Sequence, residues 1–211
     1  MVIAQKGGII MKKYVLFVFF IFYSSQFAYS ADMNGYVGGN LGQADHDTGI
    51  TTGTASLDEE DLGWKIYGGV NINEYLAVEI QYADFGAATL NGVNGSTFTV
   101  AGTALQFITT AELDGEADSI GFSAVAGYDI NEYIRPFIKL GGHSWDYEIN
   151  STGNVNGTLA SDDGFDLFFG VGLKIKATDN VSGVLEIEQY QFDSLVLDSV
   201  SLFSAGILIT F

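Results

Sequence analysis

The sequence predicts an all-β protein, an eight-stranded antiparallel up-and-down β-barrel that spans a membrane after removal of a signal peptide. Three observations predict this fold. Apolar and polar residues alternate with a period of two from Tyr36 to the end of the chain, as in strands with one apolar face. A turn-like motif repeats at residues 69–76 and 127–134. The 211 residues include 27 glycines, one proline and no cysteine, which excludes a disulfide scaffold and is not a disordered composition.

Residues 12–31 have the pattern of a secretory signal peptide. Two lysines precede an apolar core at residues 14–23, and small residues follow near position 30. The core is shorter than the ~20 residues that a membrane-spanning helix needs. We therefore expect cleavage between Ser30 and Ala31, so that residues 1–30 are the signal peptide, with Met11 as an alternative start, and residues 31–211 form one barrel domain.

The charge of the mature chain restricts its partners and its route across a membrane. Cleavage removes three of the eight basic residues and none of the 26 acidic ones. Such an acidic chain is unsuited to nucleic acid, because that binding depends on Lys and Arg at phosphates. No later stretch is long and apolar enough for a transmembrane helix. The mature chain is therefore either soluble outside the cytoplasm or crosses a membrane as a barrel.

Eight strands can be traced in order along residues 35–211. A first strand covers residues 35–43 and a last strand covers residues 200–211. Between them, the two repeats and a looser copy at residues 172–181 predict three hairpins with tight turns. The hairpins are joined by polar stretches near residues 44–61, 86–117, 149–163 and 193–198. Short turns at one end and long loops at the other are typical of transmembrane barrels.

Residues 97–111 allow two interpretations. Their alternating apolar residues fit a fifth hairpin, which would give ten strands. We favour a strand extension above the membrane, because the stretch lacks the Asn-Gly or Asp-Gly turn that marks a tight hairpin.

The charged residues of the strands predict which face lies inside the barrel. Basic and acidic residues share the polar parity of their strands, whereas the apolar parity is nearly free of charge, as a lipid-facing surface requires. Charges inside a narrow lumen must be paired. We therefore expect a lumen charge network of Lys65, Glu79, Arg135, Lys139, Asp166, Lys174, Glu186 and Glu188. Aromatic girdles are expected at the strand ends, at Tyr36, Trp64, Tyr82, Tyr128, Tyr133 and Phe211.

Several segments resemble a known family. These are residues 35–42, 63–75, 77–82 and 139–142, together with the C-terminal Phe211. In their order and spacing the chain resembles the outer-membrane protein A–like family of eight-stranded barrels over nearly all of residues 34–211. Two features depart from the pattern of that family. We expect no peptidoglycan-binding domain after the barrel, and Thr210 stands at a penultimate position that is often basic in such barrels.

The resemblance implies an assembly signal in the last strand. The barrel-assembly machinery would recognise its alternating apolar face, with the terminal aromatic residue as the main contact. The residues concerned are Phe203, Ile207, Ile209 and Phe211.

These observations predict a monomeric protein of the Gram-negative outer membrane with a structural or surface-interaction role. Eight strands leave a lumen just wide enough for side chains, so no open pore is expected. Partners would be outer-membrane lipid, lipopolysaccharide and a host or surface ligand at the acidic loops. No cofactor, metal site or catalytic residue is expected.

Two other functions remain open. A lipid A-modifying enzyme on the same scaffold would need His143 and Ser144 to act together, although adjacent strand residues point to opposite faces. A soluble lipocalin-like binder is the second alternative. The sequence Asp45-x-Asp47-x-Gly49 lacks the later ligands of a calcium loop.

Overall fold

A computed structural model of the chain describes residues 34–153 and 156–211. The predicted signal peptide, with its cleavage site at Ser30–Ala31, lies outside these residues. Among them, no helix is long and apolar enough to cross a membrane. The strands are β1 (Gly35–Thr48), β2 (Ile50–Thr52), β3 (Ser56–Asp58), β4 (Glu60–Asn71), β5 (Leu76–Gly92), β6 (Thr97–Val100), β7 (Thr103–Gln106), β8 (Ala111–Gly127), β9 (Ile134–Gly153), β10 (Gly157–Lys176), β11 (Val181–Gln191) and β12 (Leu197–Thr210).

Eight long strands form a closed antiparallel barrel. They follow one another around it in the order β1, β4, β5, β8, β9, β10, β11 and β12, and each pairs with its neighbours. The first and last strands close the ring, with Tyr36 opposite Thr210 and Asp47 opposite Ser199. Closure leaves no sheet edge exposed to lipid, where unpaired backbone groups would be costly. The predicted eight-stranded fold is confirmed.

Two glycines allow the closing strands to approach each other. A Cβ atom on Gly42 would overlap the backbone of Phe203, and one on Gly206 would overlap the backbone of Gly39. Larger residues at these positions would push β1 and β12 apart.

The repeated motif forms the same hydrogen-bonded turn each time. In the first copy, the Asn73 Oδ1 atom accepts hydrogen bonds from the backbone N–H groups of Tyr75 and Leu76 at 2.8 and 2.9 Å. Asn131 makes both equivalent bonds at 2.9 Å in the second copy. Thr178 replaces the asparagine in the third, where its hydroxyl accepts from two backbone N–H groups. The three predicted hairpins are therefore present.

Above the barrel, residues 97–106 form a separate hairpin. Strands β6 and β7 pair with each other, and β2 adds to them to make a small three-stranded sheet. The preference for a simple strand extension over residues 97–111 is thus wrong for the first ten residues, while β8 does begin at Ala111. The turn escaped notice because Ala101 and Gly102, with φ values of 47° and 77°, replace the Asn-Gly of a tight hairpin.

The two faces of the barrel wall differ as the alternation predicts. Leu140, Phe122 and Leu167 are more than 60% exposed on the outer face. Along β11, Leu185 and Ile187 are exposed, whereas Val184, Glu186 and Glu188 are buried. Period-two alternation therefore separates an apolar outer band from a mixed interior.

One of the predicted girdle aromatics lies elsewhere. Tyr36 lies inside the barrel, where it is 5% exposed and donates a hydrogen bond to Glu79. Tyr82 lies on the outer face, paired with Ile66 of the neighbouring strand, and its ring centroid is 5.5 Å from that of Trp64. Trp64, Tyr128, Tyr133 and Phe211 are exposed. A strand-end position alone does not tell which way an aromatic side chain points, because parity decides it.

Candidate functional site in the lumen and at the extracellular rim

Five charged side chains from four strands meet at the centre of the lumen. This ion cluster consists of Lys65, Glu79, Lys139, Glu186 and Glu188, and each residue is at most 7% exposed. The Lys139 Nζ atom lies 2.5 Å from Glu79 Oε1, 2.8 Å from Glu186 Oε1 and 3.2 Å from Glu188 Oε1. Lys65 Nζ pairs with Oε2 of both Glu186, at 2.5 Å, and Glu188. Lys139 thus bridges carboxylates of β5 and β11, whereas Lys65 joins β4 to the two carboxylates of β11.

Neutral polar side chains complete the surroundings of the ion cluster. Tyr36 donates a hydrogen bond to Glu79 at 3.1 Å, and Tyr190 donates one to Glu188 at 3.0 Å. The Asn40 amide donates to Glu186, and the Gln81 carbonyl accepts from Lys139. These bonds matter because a buried charge is tolerated only when it is both paired and hydrogen-bonded.

The extracellular half of the lumen is filled by aromatic rings. Phe85, Phe168 and Tyr190 are fully buried, and Trp145 is 1% exposed. The ring centroids of Phe168 and Tyr190 lie 5.0 Å apart in a stacked arrangement, and those of Phe85 and Tyr190 lie 4.7 Å apart edge to face. Phe192 continues the stack towards Trp145. We call these five rings the aromatic plug; they pack against one another in the lumen above the ion cluster.

Three residues of the expected network lie apart from the ion cluster. Arg135 pairs with Asp129 beside a short turn, at 3.2 Å. Lys174 lies nearby, with its Nζ atom 5.9 Å from the centre of the Tyr36 ring. Asp166 lies towards the loops, where it accepts hydrogen bonds from the Trp145 indole and the Asp193 backbone. Parity alone cannot give the height of a side chain along the barrel axis.

Sequence reasoning missed the tyrosines and amides that surround the ion cluster. Asn40, Tyr67, Gln81 and Tyr190 are all buried and polar. Each shares the inward parity of a charged or small neighbour on its own strand, such as Lys65 beside Tyr67 and Glu188 beside Tyr190. That shared parity is the signal that would have found them.

The outer face carries a row of aspartates just above the apolar band. Register pairs Asp84 with Asp118, Asp118 with Asp146, and Asp146 with Asp163 across four adjacent strands. We call these four residues the aspartate row. Glu116 and Glu148 face each other one step further from the membrane. Burial, then the neighbouring Asp114 and Glu148, raise the pKa of Glu116.

The His143 and Ser144 side chains lie on opposite faces of β9. His143 is fully buried among aromatic rings, with its Nε2 atom 2.9 Å from the Gln191 carbonyl oxygen, whereas Ser144 is exposed on the outer face. A general base must lie within hydrogen-bond reach of its nucleophile, so the two do not form a catalytic pair. Within the described ranges, no group of three His, Asp or Glu side chains is arranged to hold a metal ion.

The C-terminal strand ends at the periplasmic edge of the barrel seam. The Phe211 N–H donates to the Gly35 carbonyl at 2.9 Å, which extends the β12–β1 ladder by one residue. Phe203, Ile207, Ile209 and Phe211 are all 48–59% exposed on the outer face. They form one continuous apolar stripe along the seam.

Comparisons with known proteins agree on one fold. The model of the family described as "Outer membrane protein beta-barrel domain" matches residues 15–211. Outer membrane protein A of Shigella dysenteriae is 27% identical over 172 residues, which cover 80% of this chain and 43% of that protein. The Salmonella typhi protein of the same name is 26% identical over 171 residues, with the same coverage. This chain therefore spans less than half the length of these relatives.

Two solved structures show the same barrel at low sequence identity. Neisserial surface protein A has a TM-score of 0.53 at 18% identity, covering 84% of this chain and 97% of that one. Ail, the attachment invasion locus protein of Yersinia pestis, has a TM-score of 0.51 at 17% identity, covering 84% and 99%. That Ail structure is a complex with the heparin analogue sucrose octasulfate.

Proposed function

Because this chain belongs to the outer membrane protein beta-barrel domain family and lies in the cell outer membrane, we propose that it is a surface-interaction protein without an open pore and without catalytic activity. Membership of this family confirms the resemblance that its sequence segments indicated. The proposed role depends on two features, a filled lumen and an acidic extracellular rim.

The filled lumen supports a barrel without an open pore. The aromatic plug and the ion cluster occupy successive levels of the same interior. Beside the ion cluster, the cavity that Glu79, Lys139 and Glu186 help to line measures only about 50 Å³, well below the ~300 Å³ at which small-molecule sites begin. A hydrated solute would have to displace paired charges and packed rings.

Conductance measurements test the closed lumen. The purified barrel in a planar lipid bilayer is expected to show no steady single-channel current, because an eight-stranded lumen of this kind is filled by side chains. Tyr190→Ala removes the ring that joins the plug to the ion cluster. It serves as the positive control, because it should increase the ion current through the barrel. Steady, selective currents from the unmodified barrel would contradict the proposal.

The acidic rim is the observation that supports a surface role most strongly. Residues 44–62, 84–118, 144–167 and 192–199 contain 18 of the 26 acidic residues and no Lys or Arg. Of the five basic residues that follow the predicted signal peptide, two are paired inside the lumen and three lie at the turn end; they are Lys65 and Lys139, and Arg135, Lys174 and Lys176. An acidic surface of this extent attracts cationic partners and repels anionic ones. We therefore propose that the rim contacts a positively charged surface.

Binding to probes of opposite charge tests the rim. The refolded protein is expected to bind poly-lysine in a salt-dependent manner and to pass through a heparin column without retention, because charge steering weakens with ionic strength. Changing the aspartate row to asparagine should weaken poly-lysine binding severalfold. As a matched control, Glu74, Asp129, Glu132 and Asp179 at the turn end are changed to their amides. Equal weakening by both sets, or retention on heparin, would exclude the rim as the binding surface.

The apolar stripe of β12 is also proposed as the assembly signal. Phe211 contributes a ring at the end of the seam but only one backbone hydrogen bond to Gly35, so its removal should cost little stability. We expect deletion of Phe211 to leave detergent-refolded barrels nearly as stable as before while unfolded chain accumulates in the periplasm. Cell fractionation compares the amounts of truncated and unmodified protein in the periplasm and in the outer membrane. Normal outer-membrane levels of the truncated protein would limit Phe211 to a girdle role.

A further inference from the structure

An open cup of about 730 Å³ lies at the short-turn end of the barrel, which faces the periplasm. The three turns and the neighbouring strand ends form its wall. This volume falls within the ~300–1,000 Å³ range of small-molecule sites. Neither the acidic rim nor the proposed surface role involves this end of the molecule.

Within residues 34–153 and 156–211, the basic residues outside the ion cluster all line the cup. They are Arg135, Lys174 and Lys176. Arg135 and Lys174 lie directly opposite each other on β9 and β10. Like charges in directly opposite positions of an antiparallel pair destabilise it. An anion placed between them would remove that repulsion.

The carboxylates around the cup neutralise these cations unequally. Arg135 pairs with Asp129, whose side chain is 66% exposed, and also donates to the Glu74 carbonyl oxygen at 2.7 Å. Lys176 pairs with Asp179 at 2.8 Å. In contrast, no carboxylate of residues 34–153 or 156–211 makes an ion pair with half-buried Lys174. Lys174 therefore lines the cup with an ammonium group that has no ion-pair partner among the described residues.

We propose that this cup binds a small periplasmic molecule through a single carboxylate or phosphate group held between Lys174 and Arg135. Four acidic residues also line the cup and would repel a polyanion; they are Glu74, Asp129, Glu132 and Asp179. The remainder of the ligand is therefore uncharged or positively charged. Side chains of Asn71, Ser182 and Thr210 line the cup and offer hydrogen bonds to it.

Amide NMR of the refolded mature barrel tests the proposal. A nonionic detergent is needed, because a phosphocholine headgroup would itself supply phosphate. Acetate, inorganic phosphate and the dipeptide alanyl-alanine are titrated separately. We expect saturable shifts of the amides of Gly127, Arg135, Lys174 and Ser182 with at least one probe, and the tighter of acetate and phosphate identifies the preferred group. Absence of saturable shifts with all three probes would overturn the proposal.

Two matched variants separate the site from general charge effects. Lys174→Gln is expected to weaken binding at least tenfold, whereas Lys176→Gln, which removes a cation already paired with Asp179, should change it less than twofold. Heat-modifiable gel mobility shows that each variant is folded. If Lys174→Gln fails to fold, Thr210→Asp places a carboxylate in the cup and should abolish binding. Unchanged affinity in Lys174→Gln or in Thr210→Asp would exclude the site.

Discussion

Lys139→Met is expected to lower the free energy of unfolding by about 3–5 kcal/mol, because removing one partner leaves buried charge uncompensated. Lys139 pairs with three carboxylates, and the variant would leave Glu186 and Glu188 to Lys65 and leave Glu79 without its ion-pair partner. Urea unfolding of the refolded barrel in lipid vesicles, followed by tryptophan fluorescence, gives the change. A loss of about 3–5 kcal/mol is a large fraction of the total stability of a typical domain.

Lys176→Met is the matched control for this prediction. Its side chain is 44% exposed and pairs with Asp179, and exposed pairs contribute about 0–1 kcal/mol. The double variant Lys139→Met, Glu79→Gln should recover part of the loss, because it removes one of the carboxylates left without a partner. Equal unfolding midpoints for the two single lysine variants would show that Lys139 is not part of a paired lumen network.

Leu185→Arg is expected to cost about 2–4 kcal/mol, the range for an arginine near the bilayer midplane on a lipid-facing strand. Leu185 is 50% exposed on the outer face, four residues after the start of β11 and between the apolar Leu173 and Ala205 of its neighbours. Folding yield and unfolding in lipid vesicles measure the effect.

Leu195→Arg supplies the same chemical change outside the membrane. Leu195 is 82% exposed in the loop between β11 and β12, so the arginine would remain in water and should change stability by less than about 0.5 kcal/mol. If Leu185→Arg folds as well as Leu195→Arg, the apolar band of β11 does not face lipid.

The sequence alone determined the barrel because the relevant signals are local. Successive side chains of a strand point to opposite faces of the sheet. The period-two pattern of residues such as Leu185, Glu186 and Ile187 therefore already distinguishes lipid-facing from lumen-facing side chains. The repeated turns were equally readable, since an asparagine at position 73 or 131 bonds to backbone groups only two and three residues ahead. Interactions over so few residues leave a mark in the sequence itself.

Only the tertiary structure decided which inward residues meet. Lys65 and Glu188 are 123 positions apart in the chain, and their contact depends on the stagger of strands around the closed ring. Parity therefore placed Asp166 and Lys174 inside the barrel with Lys139 but could not give their heights along its axis. Asp166 lies nearer the loops and accepts a hydrogen bond from Trp145, whereas Lys174 lies near the turns, opposite Arg135. The same limit hid the aspartate row and the turn-end cup, because both are formed by register between strands rather than by any one segment.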